Sequence, residues 1–432
     1  ITPPFLSDDS LAYAAIGRAI GTYHQPMYMP LGEALPAGDP FRESIRPYPL
    51  WLSAGSAYNP AFNWIACGVN YLGGENLAVH LRLFQLVGLL AMMLTTIIAG
   101  QAARQASSVE PSTTDAGQRA VQAMTLVIFC PLTIIEATAN AHNDCLLALS
   151  VALFALCVVR HSTAGALAAL VAGVMVKTSG VLLLGLFLVH RLAVKLSARL
   201  PRLAGSRMML VGIAITAILT TATVVWLLGP WLVRHSSHVA RVLGSTVDKY
   251  PYCTRSIESA PRALLHIVLG MPTAAWCAGL VFRAAAGALL LYMALRSPPG
   301  VRHLGWAASF IFFFYLYLNA YSQPWYVLSL LPLLSFADRR LRPAMLALPI
   351  SNLASYAMYF PLDGIPAVPV RALSEILQVL IVVAPPTIIL WAGWRRSRAE
   401  LPGANDLQHG VPRLARHRPE AALAQGESVI PG

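Results

Sequence analysis

Long apolar runs follow one another through the chain after residues 1–76, a mixed stretch rich in Pro and Tyr. A helix needs about 20 apolar residues to cross a bilayer, and shorter helices are tolerated where they line a cavity or pair inside the protein. The pattern predicts an all-α polytopic membrane protein with about eleven transmembrane helices. The predicted spans are 77–100, 120–139, 145–160, 164–176, 178–190, 207–229, 272–295, 303–319, 324–337, 343–360 and 373–394.

Composition agrees with this class. Hydrophobic residues make up 56% of the 432 residues and charged residues only 12%, which excludes a soluble enzyme, a disordered protein and a coiled coil. In a soluble protein the net charge of +12 would suggest nucleic acid, but basic residues beside membrane spans set topology instead. The six cysteines lack metal-ligand spacing and are interpreted as packing residues, with Cys67 and Cys253 the one pair considered for a disulfide.

The basic residues also predict the orientation of the chain. Sixteen Lys and Arg residues fall in one set of connections, counted with the residues just after the last span. Six fall in the other set after the first loop, so the richer set is expected to be cytoplasmic. This prediction makes 1–76 the first extracytoplasmic loop, 77–395 a transmembrane helical domain with an outer loop at 230–262, and 396–432 a disordered cytoplasmic tail. The chain begins with Ile1 and its first dozen residues are expected to be polar loop, so we expect a spanning helix to precede it.

Two polar clusters are candidates for chemistry. Asp8 and Asp9 are adjacent carboxylates, which in a loop are most often merely solvated. His142, Asn143 and Asp144 stand at the start of an apolar run, where one of them would suffice to cap a helix. Ionisable groups at membrane depth are costly and by default mark a functional site. Glu136 lies close upstream of the second cluster and adds another acid at that depth.

Two further polar interruptions fall on the same predicted outer side. Lys177 divides the apolar run 164–190, where a lysine can either extend towards the interface or act as a counter-charge for a phosphate at a helix end. Gln323, Trp325 and Tyr326 separate two other apolar runs; aromatic residues there are typical of an interfacial belt, but they also suit stacking on a sugar. No glycine-rich nucleotide-binding motif is found in the sequence.

In this order the motifs resemble those of the GT-C superfamily, the integral-membrane glycosyltransferases that use polyprenyl-phosphate sugars. The resemblance is closest to bacterial polyprenol-phosphate-mannose-dependent mannosyltransferases and covers most of residues 1–340. Two departures are visible: Asn59 stands where glycine is usual, and Ala14–Ile16 lacks a second acidic residue. The matching elements are Asp8-Asp9 with Tyr13 and Gly17, Tyr58-Asn59-Pro60, His142-Asn143-Asp144 with Lys177, and Pro324-Trp325-Tyr326.

The resemblance implies an inverting transfer of a hexose such as mannose to a lipid or glycan acceptor, at the outer face of a bacterial-type plasma membrane. Asp9, four residues before Tyr13, is the candidate base, and Asp8 is the second choice. The resemblance implies no cofactor, no metal and no nucleic acid. The partners that it implies are the polyprenyl-phosphate sugar, the acceptor and membrane lipids. The donor phosphate would be held by Lys177, His142 and Arg255, and the sugar or acceptor by Asn143, Asp144, Tyr58, Gln323, Trp325 and Tyr326.

A secondary transporter or a flippase of lipid-linked sugars is the alternative. A transporter also has broken helices and buried charges, but it usually places them near the bilayer midplane between related halves. The sequence contains no internal repeat, and its polar clusters lie on one predicted face. The pattern therefore favours the transferase.

Overall fold

A computed structural model of the chain describes residues 7–53, 55–109, 115–199, 272–319, 323–356 and 368–399. Residues 1–390 form one compact unit. Of the second unit, 391–432, the described part is the end of the last helix, where the Arg395 guanidinium lies 3.8 Å from the centre of the Trp391 ring. The predicted span 207–229, the outer loop 230–262 and most of the tail lie outside the described residues.

The described residues form helices, and no strand occurs among them. The α-helices are α1 (Asp9–Gly21), α2 (Leu31–Ala34), α3 (Pro40–Ile45), α4 (Pro49–Ser53), α5 (Pro60–Gly73), α6 (Leu77–Val109), α7 (Ala116–Ile128), α8 (Asp144–Val159), α9 (Thr163–Val176), α10 (Val181–Arg199), α11 (Pro272–Arg296), α12 (Arg302–Phe313), α13 (Arg342–Ala354) and α14 (Val368–Ala399). Two π-helices, Thr133–Ala139 and Phe314–Leu318, and two 3₁₀-helices, Thr178–Gly180 and Pro324–Phe336, complete the set.

Three of these helices are long and apolar enough to cross a membrane, in the segments Leu77–Ser107, Thr178–Ala198 and Ile376–Arg396. Ala116–Ile128 and Thr133–Ala139 would make a fourth if this pair, bent by 60°, is one span. Together these apolar helices indicate a membrane protein, as predicted. The count of about eleven helices and the arrangement of the loops stay predictions.

The predicted span 120–139 is one place where the structure differs from the expectation. It is divided into α7 and the first π-helix, with Pro131 between them. Proline lacks the backbone N–H that would continue α7, which explains the break at this position. The predicted break of 164–190 at Lys177 is confirmed: α9 ends at Val176, and Lys177 has an extended backbone before the short 3₁₀-helix.

The first residues also differ from the expected polar loop, because α1 begins at Asp9. Its residues Ala12 to Ile16 are buried against α5, so burial of this apolar segment stabilises a helix where the flanking polar residues suggested a loop. Residues 7–76 contain five short helices, α1 to α5. Their apolar core also includes Phe84 of α6, Ala141 and Val176. The amino-terminal helices therefore pack directly against the elements that carry His142 and Lys177.

Close packing of α1 on α5 depends on Gly17. A Cβ atom at this position would overlap the backbone oxygen of Ala66. Next to it, the Arg18 guanidinium pairs with the Asp39 carboxylate at 3.2 Å, and the Tyr23 hydroxyl donates to the same carboxylate at 2.7 Å. These contacts fix α1 in the position that presents Asp9 to the rest of the molecule.

We expect Gly17→Ala to destabilise the protein by about 1–3 kcal/mol, the usual cost of overpacking a close contact. The matched control is Gly68→Ala, because a Cβ at Gly68 of α5 would meet no atom within 4 Å. That substitution should stabilise the helix by about 0.5–1 kcal/mol through the lower conformational entropy of the unfolded chain. Thermal unfolding of both variants in detergent measures the difference; an unchanged midpoint for Gly17→Ala would contradict the close α1–α5 contact.

Candidate active site

His142 is presented by an irregular segment between the first π-helix and α8. Its backbone N–H donates to the Glu136 carbonyl at 2.9 Å, and Ala141 before it has a positive φ of 60°. A left-handed backbone at a residue with a side chain is unfavourable, and such strain, like π-helices, is frequent at functional sites. Asn143 is the N-cap residue of α8, but its side chain makes no capping hydrogen bond. Helix capping therefore does not explain why an amide side chain stands at residue 143.

The imidazole of His142 lies between two carboxylates. Its Nδ1 is 3.2 Å from Asp9 Oδ2, and its Nε2 is 3.3 Å from Glu136 Oε2. The ring stacks on Trp325, with centroids 3.7 Å apart and planes inclined by 13°. Each ring nitrogen of His142 therefore faces a carboxylate oxygen, one from α1 and one from the first π-helix. The arrangement joins α1, the first π-helix and the long 3₁₀-helix at one residue.

Asp9 has two tyrosine hydroxyls beside it as well as His142. The Tyr58 hydroxyl donates to Asp9 Oδ2 at 3.3 Å, and the Tyr13 hydroxyl lies 3.4 Å from the same oxygen. Burial alone would raise the pKa of Asp9, but the contact with His142, the charge of Lys177 and the Tyr58 hydroxyl together hold that pKa below its ordinary value of 3.8. Asp9 is therefore an ionised carboxylate at neutral pH.

Asp8 is in a different environment. Its Oδ2 accepts a hydrogen bond of 2.9 Å from the indole N–H of Trp51. Burial, and then the charge of Asp9, raise the pKa of Asp8 to about 6. The two adjacent acids are thus distinguished by the structure, since Asp9 contacts the histidine and Asp8 points to a tryptophan.

Lys177 forms the second charged pair of the cluster. Its Nζ donates to Asp144 Oδ2 at 2.6 Å and lies 4.3 Å from the centre of the Tyr326 ring. Asp144 was predicted to bind the sugar or the acceptor, and this stays a prediction; in the structure its carboxylate pairs with Lys177. A lysine ammonium has three donors, so this contact leaves others for a ligand.

Solvent reaches only part of this cluster. The side chains of His142, Glu136 and Asp144 are fully buried. The side chains of Asp9 and Lys177 remain 15% and 13% exposed, respectively. Among the residues of these charged contacts, Asp9 and Lys177 are therefore the two that a ligand can reach, and the buried groups hold them in place.

Most of the predicted site residues meet at this cluster. Asn143 joins it through Tyr13, whose hydroxyl lies 3.5 Å from Asn143 Oδ1. Gln323 is buried at the start of the 3₁₀-helix that carries Trp325 and Tyr326. Arg255 lies outside the described residues. The suggested Cys67–Cys253 disulfide is not present at Cys67, which is a buried free thiol, and Cys253 is also outside the described residues.

Two residues that support the candidate site are not evident from the sequence pattern. Trp51, which binds Asp8, lies in a mixed segment where no motif singles it out. Asn59 departs from the expected glycine, yet its side chain donates to the Val174 carbonyl at 2.5 Å and its backbone N–H donates to the Val176 carbonyl at 3.3 Å. Asn59 thereby ties the start of α5 to the end of α9, beside Lys177.

Comparison with known families identifies the chemistry. Residues 1–194 match a family model described as alpha-(1->6)-mannopyranosyltransferase, N-terminal domain. The chain is a glycosyltransferase. The match confirms the resemblance to GT-C mannosyltransferases found from the motifs, and a transferase of this class implies a sugar donor and an acceptor. No curated protein and no solved structure matches the chain.

The matched range of this glycosyltransferase contains the acidic pair, Tyr58, the His142–Asp144 segment and Lys177. The stretch from Gln323 to Tyr326 lies beyond it. Contacts in the structure connect the two parts, because Trp325 stacks on His142 and Tyr326 lies under Lys177. The geometry therefore extends the candidate site past the part of the chain that the family describes.

Proposed function

We propose that this glycosyltransferase moves a mannosyl residue from a polyprenyl-phosphate donor to a lipid or glycan acceptor. The observation that carries the proposal is the pair of reachable opposite charges, Asp9 and Lys177, at one buried polar cluster. A polyprenyl phosphate is a leaving group that needs a cation as its charge develops, and the acceptor hydroxyl needs a base. The cluster contains a cation, Lys177, and a carboxylate that can act as the base, Asp9.

The reaction proposed at this site is a direct displacement. The acceptor oxygen forms a bond to the anomeric carbon of the donor while its proton passes to the Asp9 carboxylate. The bond from the anomeric carbon to the phosphate oxygen breaks, and its electron pair leaves with the polyprenyl phosphate beside Lys177. One such step inverts the anomeric centre. A β-linked donor would therefore give an α-linked product, the linkage named in the family description.

The other residues are given positioning or binding roles in the proposal. His142, between Asp9 and Glu136, orients the base, and Asp144 orients Lys177. Tyr58 and Asn143 border the sugar-binding position, since both connect to Asp9 directly or through Tyr13. Trp325 and Tyr326, with Gln323 before them, would line the groove for the sugar or the prenyl chain.

The proposed topology puts this cluster on the extracytoplasmic side of a bacterial-type plasma membrane, with 1–76 as the first outer loop and 77–395 as the membrane domain. The distribution of basic residues supports this orientation. A polyprenyl-phosphate donor is consistent with it, because such a lipid reaches the outer leaflet with its sugar attached and needs no nucleotide there. The sequence contains no nucleotide-binding loop, which agrees with a lipid donor.

Direct assay of the purified chain in lipid nanodiscs tests the donor. We expect label from a radiolabelled polyprenyl-phosphate mannose to appear in a lipid or glycan acceptor, with polyprenyl phosphate released. A nucleotide-linked mannose supplied in the same assay is the control and should give no transfer. Transfer from the nucleotide sugar alone would contradict the lipid donor. Uptake of a free solute into vesicles without covalent transfer would favour the transporter alternative.

A further inference from the structure

A cavity of about 640 Å³ lies away from the candidate active site. It is lined by Ala103 and Ala106 near the end of α6, by residues at the start of α7, and by Ser335 and Phe336 at the end of the long 3₁₀-helix. Trp325, which stacks on His142, lies at the start of that same 3₁₀-helix, at the end away from the cavity. The cavity is therefore separate from the cluster around Asp9, and its volume is in the range of ligand-binding pockets.

The rim of this cavity is strongly basic. Among the described lining residues, the charged side chains are four arginines and one aspartate; these are Arg119, Arg302, Arg339, Arg342 and Asp338. Burial lowers the pKa of Arg342, which precedes the apolar part of α13, and the charges of Arg339 and Arg119 lower it further. Arginines that repel one another at one opening are stabilised by a bound anion.

Unpartnered donors are also present in the lining. The Arg342 side chain donates from one terminal nitrogen to the carbonyls of Ser335 and Ala337, at 3.1 and 3.0 Å. Its Nε and the hydroxyl of Ser335 are buried and have no hydrogen-bond partner among the described residues. Buried polar groups are normally paired. A basic membrane flank needs neither a concave site nor buried unpaired donors, so topology alone does not explain this arrangement.

The rest of the cavity is apolar. Leu126 of α7, Met293 of α11, and Trp306 and Phe313 of α12 line it. A free inorganic anion would use only the basic rim, whereas a phosphate attached to a hydrocarbon chain would use both parts. We propose that this cavity binds an anionic membrane phospholipid, with its phosphate on the arginines and the start of a chain against the apolar wall. This site is independent of the proposed transfer reaction.

Neighbouring arginines provide a matched test. Arg339 lines the cavity, whereas Arg340, the next residue and also exposed to solvent, is not among its lining residues. Binding of phosphatidylglycerol, phosphatidylcholine and inorganic phosphate to the full chain in a neutral detergent is measured by native mass spectrometry together with thermal shift. The unaltered chain should retain and be stabilised by phosphatidylglycerol, and neither phosphatidylcholine nor inorganic phosphate should reproduce this effect.

Arg339→Gln should weaken phosphatidylglycerol binding about tenfold, the effect of removing one charge-assisted hydrogen bond. Arg340→Gln should leave binding within about twofold, because it makes the same change of net charge outside the cavity. Both arginines are exposed, so neither substitution should unfold the chain. An equal loss of phosphatidylglycerol binding in the two variants would show that the lipid binds a general basic surface, and it would overturn the proposal. Equal stabilisation by inorganic phosphate, or by phosphatidylcholine, would overturn the assignment to an anionic lipid.

Discussion

Asp9→Asn is expected to reduce the rate of sugar transfer by about 10²–10⁴-fold, the usual contribution of a general base. Asparagine keeps the size of the side chain and can still accept from the Tyr58 hydroxyl, but it cannot take up the proton of the acceptor. Rates of transfer from the labelled donor in nanodiscs measure the effect. The protein should still insert and fold, because α1 is held independently by the contact of Gly17 with α5 and by the Arg18–Asp39 pair.

The matched control is Asp8→Asn, an identical substitution one residue earlier. Asp8 accepts from Trp51, and asparagine can keep that hydrogen bond. Because the pKa of Asp8 is raised to about 6, the substitution also removes a charge that is unfavourable at neutral pH. Activity of Asp8→Asn should therefore stay within about tenfold of the unaltered enzyme. If Asp8→Asn abolishes transfer and Asp9→Asn does not, the assignment of the base is reversed.

The contributions of Asp8 and Asp9 to the stability of the folded protein should also depend on pH in opposite directions. The raised pKa of Asp8 means that its contribution to stability is complete below pH 4 and is lost as the pH rises through about 6. The lowered pKa of Asp9 has the opposite sign: its contribution is present above its ordinary value of 3.8 and is lost as the pH falls below that value. Asp9 is therefore the member of the pair whose charged form the folded structure stabilises.

Much of this site could be anticipated from the sequence because polar residues in apolar runs have few explanations. Lys177 interrupts an otherwise apolar stretch, and the structure breaks the helix at that residue. The polar run from His142 to Asp144 at the start of an apolar segment was equally conspicuous. Which atoms meet could not be predicted: a motif gives no distances, so the pairing of Asp144 with Lys177 and the stacking of Trp325 on His142 appear only in the structure.

The fold was predictable to a more limited extent. Hydrophobicity indicates helices in a membrane, but it does not give their ends or their type. The apolar run 324–337 suggested a spanning α-helix and forms a 3₁₀-helix, Pro324–Phe336, which contains Pro332. The residues before the first long helix suggested a loop because Pro and Tyr interrupt any period, yet five short helices form there around a common core. Contacts distant in sequence, not local pattern, stabilise those helices.

The second large effect is expected at Lys177, and here removal of the charge has two consequences. Lys177→Gln should lower the rate of transfer by about 10²–10³-fold, because the departing phosphate loses its counter-charge. It also leaves Asp144 as a buried carboxylate without a counter-charge, which costs about 3–5 kcal/mol of stability. Loss of activity in this variant alone would not distinguish a catalytic defect from a folding defect.

The double variant Lys177→Gln with Asp144→Asn separates these consequences. Two amides can replace the ion pair without leaving a buried charge, so the thermal midpoint should return towards that of the unaltered enzyme, while transfer stays low. Asp144→Asn alone should keep most of the activity, since the lysine remains available to the donor phosphate. Thermal unfolding and transfer rates are measured on all three proteins. Recovery of transfer along with stability in the double variant would show that Lys177 serves only to neutralise Asp144, and the phosphate-binding role would be lost.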